Sequence, residues 1–198
     1  MQLKKCVVPT FLFFIWVILF IKWTFGCSAY TVYSDTLKKV GSVPYKAVNL
    51  RLNHFGEEKT LEDFTIKHLI INFVYLSCND VCPTGLSKFQ KILKWSSTKN
   101  NKINLLSISF DLKRDSAVRL KKLWKLYGSP ANWSIVSIAE NELKLKNKMI
   151  DFGVWVKLDR LGRYNHTGFF FLLNPEGYVV EIFYPNQELF TAIKKILG

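Results

Sequence analysis

The chain has 198 residues, 28 of them basic and 15 acidic, with a formal charge of +13 and four cysteines. That length suits a single domain with a real hydrophobic core. The charge raises nucleic acid as a partner, but the lysines scatter through segments such as LKKLWKLYG (120–128) without building an aromatic-basic groove, which argues against it.

Lys4 and Lys5 precede an uncharged run from Cys6 to Ile21; Lys22 interrupts it, and Trp23 and Phe25 follow. Length and positive flank mark residues 1–27 as an export signal or membrane anchor rather than a core strand, with Lys22 able to snorkel to the interface. An uncleaved anchor is favoured slightly over a cleaved signal. Gly26-Cys27 also resembles a bacterial lipoprotein cleavage site, although Thr24 stands where leucine is usual. Cys6 reads as apolar filler of the anchor. Each alternative leaves Lys4 and Lys5 inside and places the rest of the chain outside the cytoplasm. The expected location is the bacterial inner membrane, facing the periplasm, or an equivalent extracytoplasmic face. Without Lys4, Lys5 and Lys22 the exported part keeps 25 basic and 15 acidic residues, hence +10. This excess suits an anionic membrane surface or an acidic partner protein, or is simply a lysine-rich solvated face.

Residues 28–44 read as a tether, and residues 45–198 as the folded domain. KAVNLRLNHF (46–55) alternates and predicts a strand, with GEEKT (56–60) as its turn and LEDF (61–64) entering the domain. LIINFVYL (69–76) is almost wholly apolar, as a strand buried on both faces must be. A helix is expected from about Pro83 to Trp95, with Leu86, Phe89, Leu93 and Ile92 inward; Pro83 fits its first turn. STKNNKIN (97–104) is a loop, LLSISF (105–110) a second buried strand, and 116–126 a helix stopped by Gly128 and Pro130, with Asp115 capping it or lying in its first turn. NWSIVSI (132–138) is a strand and 141–154 a helix. GFFFLLN (168–174) and YVVEIFY (178–184) form a hairpin, and 186–197 is a closing helix with Leu189, Ile193 and either Ile196 or Leu197 inward. The order gives an α/β fold with a mixed central sheet flanked by helices, thioredoxin-like in outline. Right-handed crossovers put the ends of strands 69–76 and 105–110 on one edge of the sheet, where such folds bind ligands.

Cys78 and Cys82 lie at that edge, four residues apart, about one helical turn. A thiol pair so placed exchanges electrons through a disulfide, forms a structural disulfide, or holds a soft metal ion. From the residues alone these three stay open, and His166 alone would be an ordinary loop histidine. Cys82, near the amino end of a helix, is expected to have a lowered pKa. His54 and His68 are read as non-ligands. Cys27 is a lipidation site or incidental.

The segments Cys78-Asn79-Asp80-Val81-Cys82-Pro83, Ser109-Phe110-Asp111-Leu112-Lys113-Arg114-Asp115-Ser116-Ala117 and YNHTGFFFLLNPEG (164–177) together resemble the Sco/SenC family. Its members are membrane-tethered, thioredoxin-fold proteins that take part in assembling the copper site of cytochrome c oxidase. The resemblance covers roughly residues 45–190. Asn79, Leu112 and Ala117 replace prolines of the family pattern, and Asn174 replaces an aspartate of the hairpin turn; none of these is a metal ligand.

The resemblance implies a copper chaperone that binds copper, as Cu(I) or Cu(II), through Cys78, Cys82 and His166. Its expected recipient is the copper-site subunit of the oxidase or a similar cuproprotein, with an upstream copper donor and the membrane as further contacts. Asp80 would cap the helix or give the loop a negative face for a basic partner, and Asp111 would orient His166 or hold the loop near the site. The alternative is a thiol–disulfide oxidoreductase in which Cys78 and Cys82 reduce the cysteines of the oxidase copper site. Cys-x-x-x-Cys is one residue longer than an ordinary thioredoxin motif. Leu76-Ser77 before Cys78 and the acidic Asp80 disfavour a peroxidase. A copper sensor would use similar ligands without a transfer partner.

Overall fold

The computed structural model describes residues 36, 38–78, 81–97 and 103–197. The anchor and Cys27 lie outside these residues, as do Asp80 and the middle of the 97–104 loop. The strands are β1 (Tyr45–Lys46), β2 (Arg51–His54), β3 (Glu57–Thr60), β4 (His68–Val74), β5 (Ile103–Ser109), β6 (Trp133–Ile138), β7 (Val156–Leu158), β8 (Tyr164–His166), β9 (Phe170–Leu173) and β10 (Tyr178–Phe183). The helices are α1 (Val81–Ser97), α2 (Ala117–Leu126), α3 (Glu142–Phe152) and α4 (Leu189–Leu197). Among the described residues, no helix is long and apolar enough to cross a membrane.

Eight strands form one sheet in the order β1-β10-β9-β4-β5-β6-β2-β3, and β7 and β8 pair separately. β4, β5 and β6 are parallel, while β9 runs antiparallel along the other side of β4. Every residue of β4 after His68 is buried, which is why its sequence is a continuous apolar run rather than an alternation.

Its two faces carry different partners. Asn72 and Phe170 face α1, where Phe89 packs against Phe170 and Trp133, both at 5.8 Å. Phe73 and Phe171 face the other way, with centroids 5.2 and 4.9 Å from Phe152 of α3. The α1 face also holds a polar chain, in which Trp133 Nε1 donates to Ser107 Oγ (3.1 Å) and Ser107 Oγ donates to Asn72 Oδ1 (2.7 Å). Gly85 brings α1 close to β4: a Cβ there would lie 3.1 Å from Asn72 Nδ2 and 3.6 Å from Phe170. α4 runs beside α1, with the rings of Phe190 and Trp95 6.3 Å apart.

The structure corrects several expectations. The single strand 46–55 is two strands on opposite flanks of the sheet: β1 pairs with β10, and β2 pairs with β6. Glu57–Thr60, expected to turn, is β3; the reversal falls at Phe55-Gly56, both with positive φ, where Asn53 Oδ1 accepts from Gly56 N at 2.7 Å. LEDF is a 3-10 helix. β5 begins at Ile103, two residues before the expected start. On α1, Ile92 is fully buried while Leu93 is half-buried. Ser116, not Asp115, caps α2 by accepting from Arg119 N. The sequence reading missed the hairpin of β7 and β8, and Asp159 shapes its turn by accepting from Leu161 N and Arg163 N, both at 2.8 Å. At the amino end of the domain Thr36 is buried, and Val40 and Val43 pack against the core.

Candidate metal centre

The site forms where β4 ends. The chain leaves the sheet after Val74, Cys78 N donates back to Tyr75 O (3.2 Å), and α1 starts at Val81. Cys82 therefore lies in the first turn of the helix and is buried, while Cys78 before it is half-buried. No disulfide joins the two. Cys82 N donates to Cys78 Sγ at 3.3 Å, so an amide of the first helical turn points at the outer sulfur. His166 ends β8, and its Nε2 lies 3.9 Å from Cys82 Sγ. Its Nδ1 is 3.0 Å from Thr167 O, so the tautomer that donates there leaves the Nε2 lone pair facing the sulfurs.

The donor atoms of Cys78, Cys82 and His166 all lie within 4.8 Å of one another. A three-coordinate ion with sulfur and nitrogen bonds of about 2.0–2.3 Å needs donors about 3.5–4 Å apart. The set is therefore within a small side-chain adjustment of closing on one ion. Two sulfurs and an imidazole are soft donors and suit Cu(I).

Aromatic rings wall the imidazole. Phe110 is 5.1 Å and Tyr75 6.0 Å from the His166 ring, and Tyr75 Oη donates to Tyr164 O at 3.0 Å. Burial, and then the neighbouring Cys78, push the Tyr75 hydroxyl up to about 12. Burial also raises the Cys82 thiol well above its ordinary range, and Cys78 adds to this. The lowering expected from the helix terminus is overturned for the metal-free site, because burial disfavours the thiolate and the Cys78 sulfur beside it adds to that.

Two acidic residues brace the surroundings. The Asp111 side chain is fully buried and pairs with Arg114 Nε. Arg114 also donates from Nη1 to Gly162 O (2.9 Å) and stacks over Tyr164 at 5.2 Å. This arrangement fastens the β7–β8 turn, and through it the strand ending in His166, to the loop after β5. The hydrogen bond that orients His166 is made by Thr167, not by Asp111. Asp115 Oδ2 accepts from Leu76 N (2.9 Å) and Ser109 Oγ (2.6 Å), joining the ends of β4 and β5. Burial raises its carboxyl above the usual range, and its Oδ1 is buried without a partner.

His54 stacks on Phe55 at 4.5 Å, and His68 opens β4 at the end away from the cysteines. Tyr75, Arg114 and Thr167 were not singled out from the sequence, and Asp115 was read only as a helix cap or first-turn residue. For Arg114 and the hairpin a signal existed: V-K-L and Y-N-H alternate on either side of a turn that starts at Asp159 and includes Gly162.

A family model described as SCO1/SenC matches residues 44–198. Yeast mitochondrial protein SCO1 is 29% identical over 153 residues, covering 72% of this chain and 50% of its own length. The chain thus spans half the length of that relative. A crystal structure of yeast Sco1 with copper bound superposes with a TM-score of 0.63 at 26% identity, covering 77% of this chain and 87% of that one. A SCO1/SenC family lipoprotein from Bacillus anthracis superposes with a TM-score of 0.71 at 18% identity, over 78% of this chain and 94% of that one. The last likeness speaks for the fold alone.

Proposed function

We infer that this chain, which belongs to the SCO1/SenC family, is a copper chaperone that delivers copper to the copper A site of cytochrome c oxidase during assembly. The observation that carries the reading is the convergence of Cys78, Cys82 and His166 on one point, with His166 Nε2 free to donate. Copper is the cargo. The two cysteines and the histidine hold it, and the low coordination number lets a ligand of the recipient enter before one of theirs leaves. Thr167 holds the imidazole, while Asp111 and Arg114 hold the hairpin that carries it.

The proposed organisation is a membrane anchor or lipidated segment over 1–27, a connection over 28–44 and the copper-binding domain over 45–198. The domain faces the periplasm or an equivalent compartment. The basic flank of the apolar run and the matching range of the family model support this arrangement.

A second reading is favoured by the asymmetry of the cysteines, half-buried Cys78 and buried Cys82. As a reductant of the recipient's cysteines, Cys78 as thiolate would attack the target disulfide and release one target sulfur. Cys82 would then displace the other target sulfur and leave a Cys78–Cys82 disulfide, so that two electrons and two protons pass to the target. His166→Ala separates the two roles. The Cu(I)-loaded chain is mixed with reduced, metal-free recipient domain, and the copper-free reduced chain with oxidised recipient domain. Delivery predicts loss of copper transfer in the variant with thiol exchange retained. Equal transfer by the variant and the parent chain would sink the chaperone reading.

A further inference from the structure

Beside the cysteines and His166, α3, β7, β8 and the Phe110–Lys113 segment enclose an open groove of about 230 Å³. Leu145, Met149, Val156 and Leu158 give it apolar walls. Phe110 and Tyr164 belong both to the groove and to the aromatic wall of the site, with rings 5.3 Å apart and Phe110 5.1 Å from His166. Leu158 is 54% exposed, so apolar surface reaches solvent at the rim. Lys113 and Glu142 pair across the lining at 2.8 Å. Lys146 also lines the groove, is exposed, and makes no ion pair with a described residue.

The space is smaller than the roughly 300–1,000 Å³ of small-molecule sites and suits one large side chain. A second copy of the chain is a poor occupant, because two surfaces with the same basic excess repel each other. An acidic surface is complementary to both the rim and the domain as a whole.

We propose that this groove docks the protein that exchanges copper with Cys78, Cys82 and His166, receiving one large apolar side chain flanked by acidic residues. The inference rests on the chaperone reading for the identity of that partner. It places the partner's anchor one aromatic ring from His166, so docking and ligand exchange share a wall.

The test uses the full chain in detergent, copper-free and reduced, with the metal-free copper A domain of cytochrome c oxidase as the probe and calorimetry as the readout. Leu158→Glu and Lys146→Glu alter exposed positions and leave the core intact. Each is expected to weaken binding about tenfold or more. Lys195→Glu makes the same charge change as Lys146→Glu on α4, away from the groove, and is expected to weaken binding by no more than about twofold. Equal effects of the three variants would overturn the groove as the docking site, as would failure of the parent chain to bind the domain. So would a Leu158→Glu effect confined to self-association or vesicle binding. Each variant is also titrated with Cu(I). Copper binding lost in the parent chain defeats the chaperone reading while the docking result stands, and docking lost with copper binding intact defeats only the groove.

Discussion

Replacing Arg114 with alanine tests whether the aspartate–arginine brace holds the copper-site histidine. Arg114 Nε faces the fully buried Asp111 carboxylate, and its own side chain is 37% exposed. Stranding a buried carboxylate costs about 3–5 kcal/mol. Water reaching a guanidinium this exposed screens the pair, so the electrostatic loss falls to about 1–2 kcal/mol. The lost bond to Gly162 O (2.9 Å) adds about 1 kcal/mol, for a total of about 2–3 kcal/mol. Urea unfolding of the reduced, copper-free chain should show a lower midpoint with an unchanged slope. Because the loosened hairpin ends at His166, Cu(I) affinity should also fall, by about 10- to 100-fold. In Asp111→Asn/Arg114→Ala the buried charge is gone, so the double variant should lose less stability than the two single variants together. If Arg114→Ala stays within about 0.5 kcal/mol of the parent chain and binds Cu(I) equally well, the brace has no role.

Gly85→Ala gains about 1 kcal/mol of helix propensity but sets a methyl 3.1 Å from Asn72 Nδ2, whose side chain Ser107 holds; the net expectation is a small loss of stability in urea, and a gain would show that Asn72 yields freely. Phe89→Ala empties a fully buried site between Trp133 and Phe170 and should cost about 3–5 kcal/mol by the same assay. The hydrogen bond from Lys148, then the nearby charges of Lys148 and Arg51, hold the Glu140 carboxyl below the usual glutamate range. Its contribution is therefore complete above about pH 4.3 and is lost as the pH falls through the depressed value. Glu140→Gln should be less stable than the parent chain at neutral pH and should converge on it in acid; a constant gap at all pH values would contradict the linkage.

Much of the architecture was legible because burial writes a plain pattern. The apolar run at 69–76 could only be a central strand, and β4 lies between β5 and β9. The thiol pair was legible for the same reason: the strand end and helix start that hold it are both marked by composition. Residues 46–55 misled because the alternation continues through a segment where the chain leaves one edge of the sheet and rejoins it at the other; periodicity does not record which neighbour a strand pairs with. The β7–β8 hairpin was missed because its strands are three residues each and none of those residues is fully buried, so they carry little apolar signal. The Cys82 thiol was misjudged because a helix terminus is visible in sequence, whereas the depth at which that terminus is buried is set by the fold around it.

The most direct test of the account is anaerobic Cu(I) titration of the reduced chain against a chelator of known affinity, with His166→Ala alongside. The account predicts one tight equivalent for the parent chain and strong weakening in the variant. Equal and weak binding by both would contradict it, leaving Cys78 and Cys82 as a redox or structural pair.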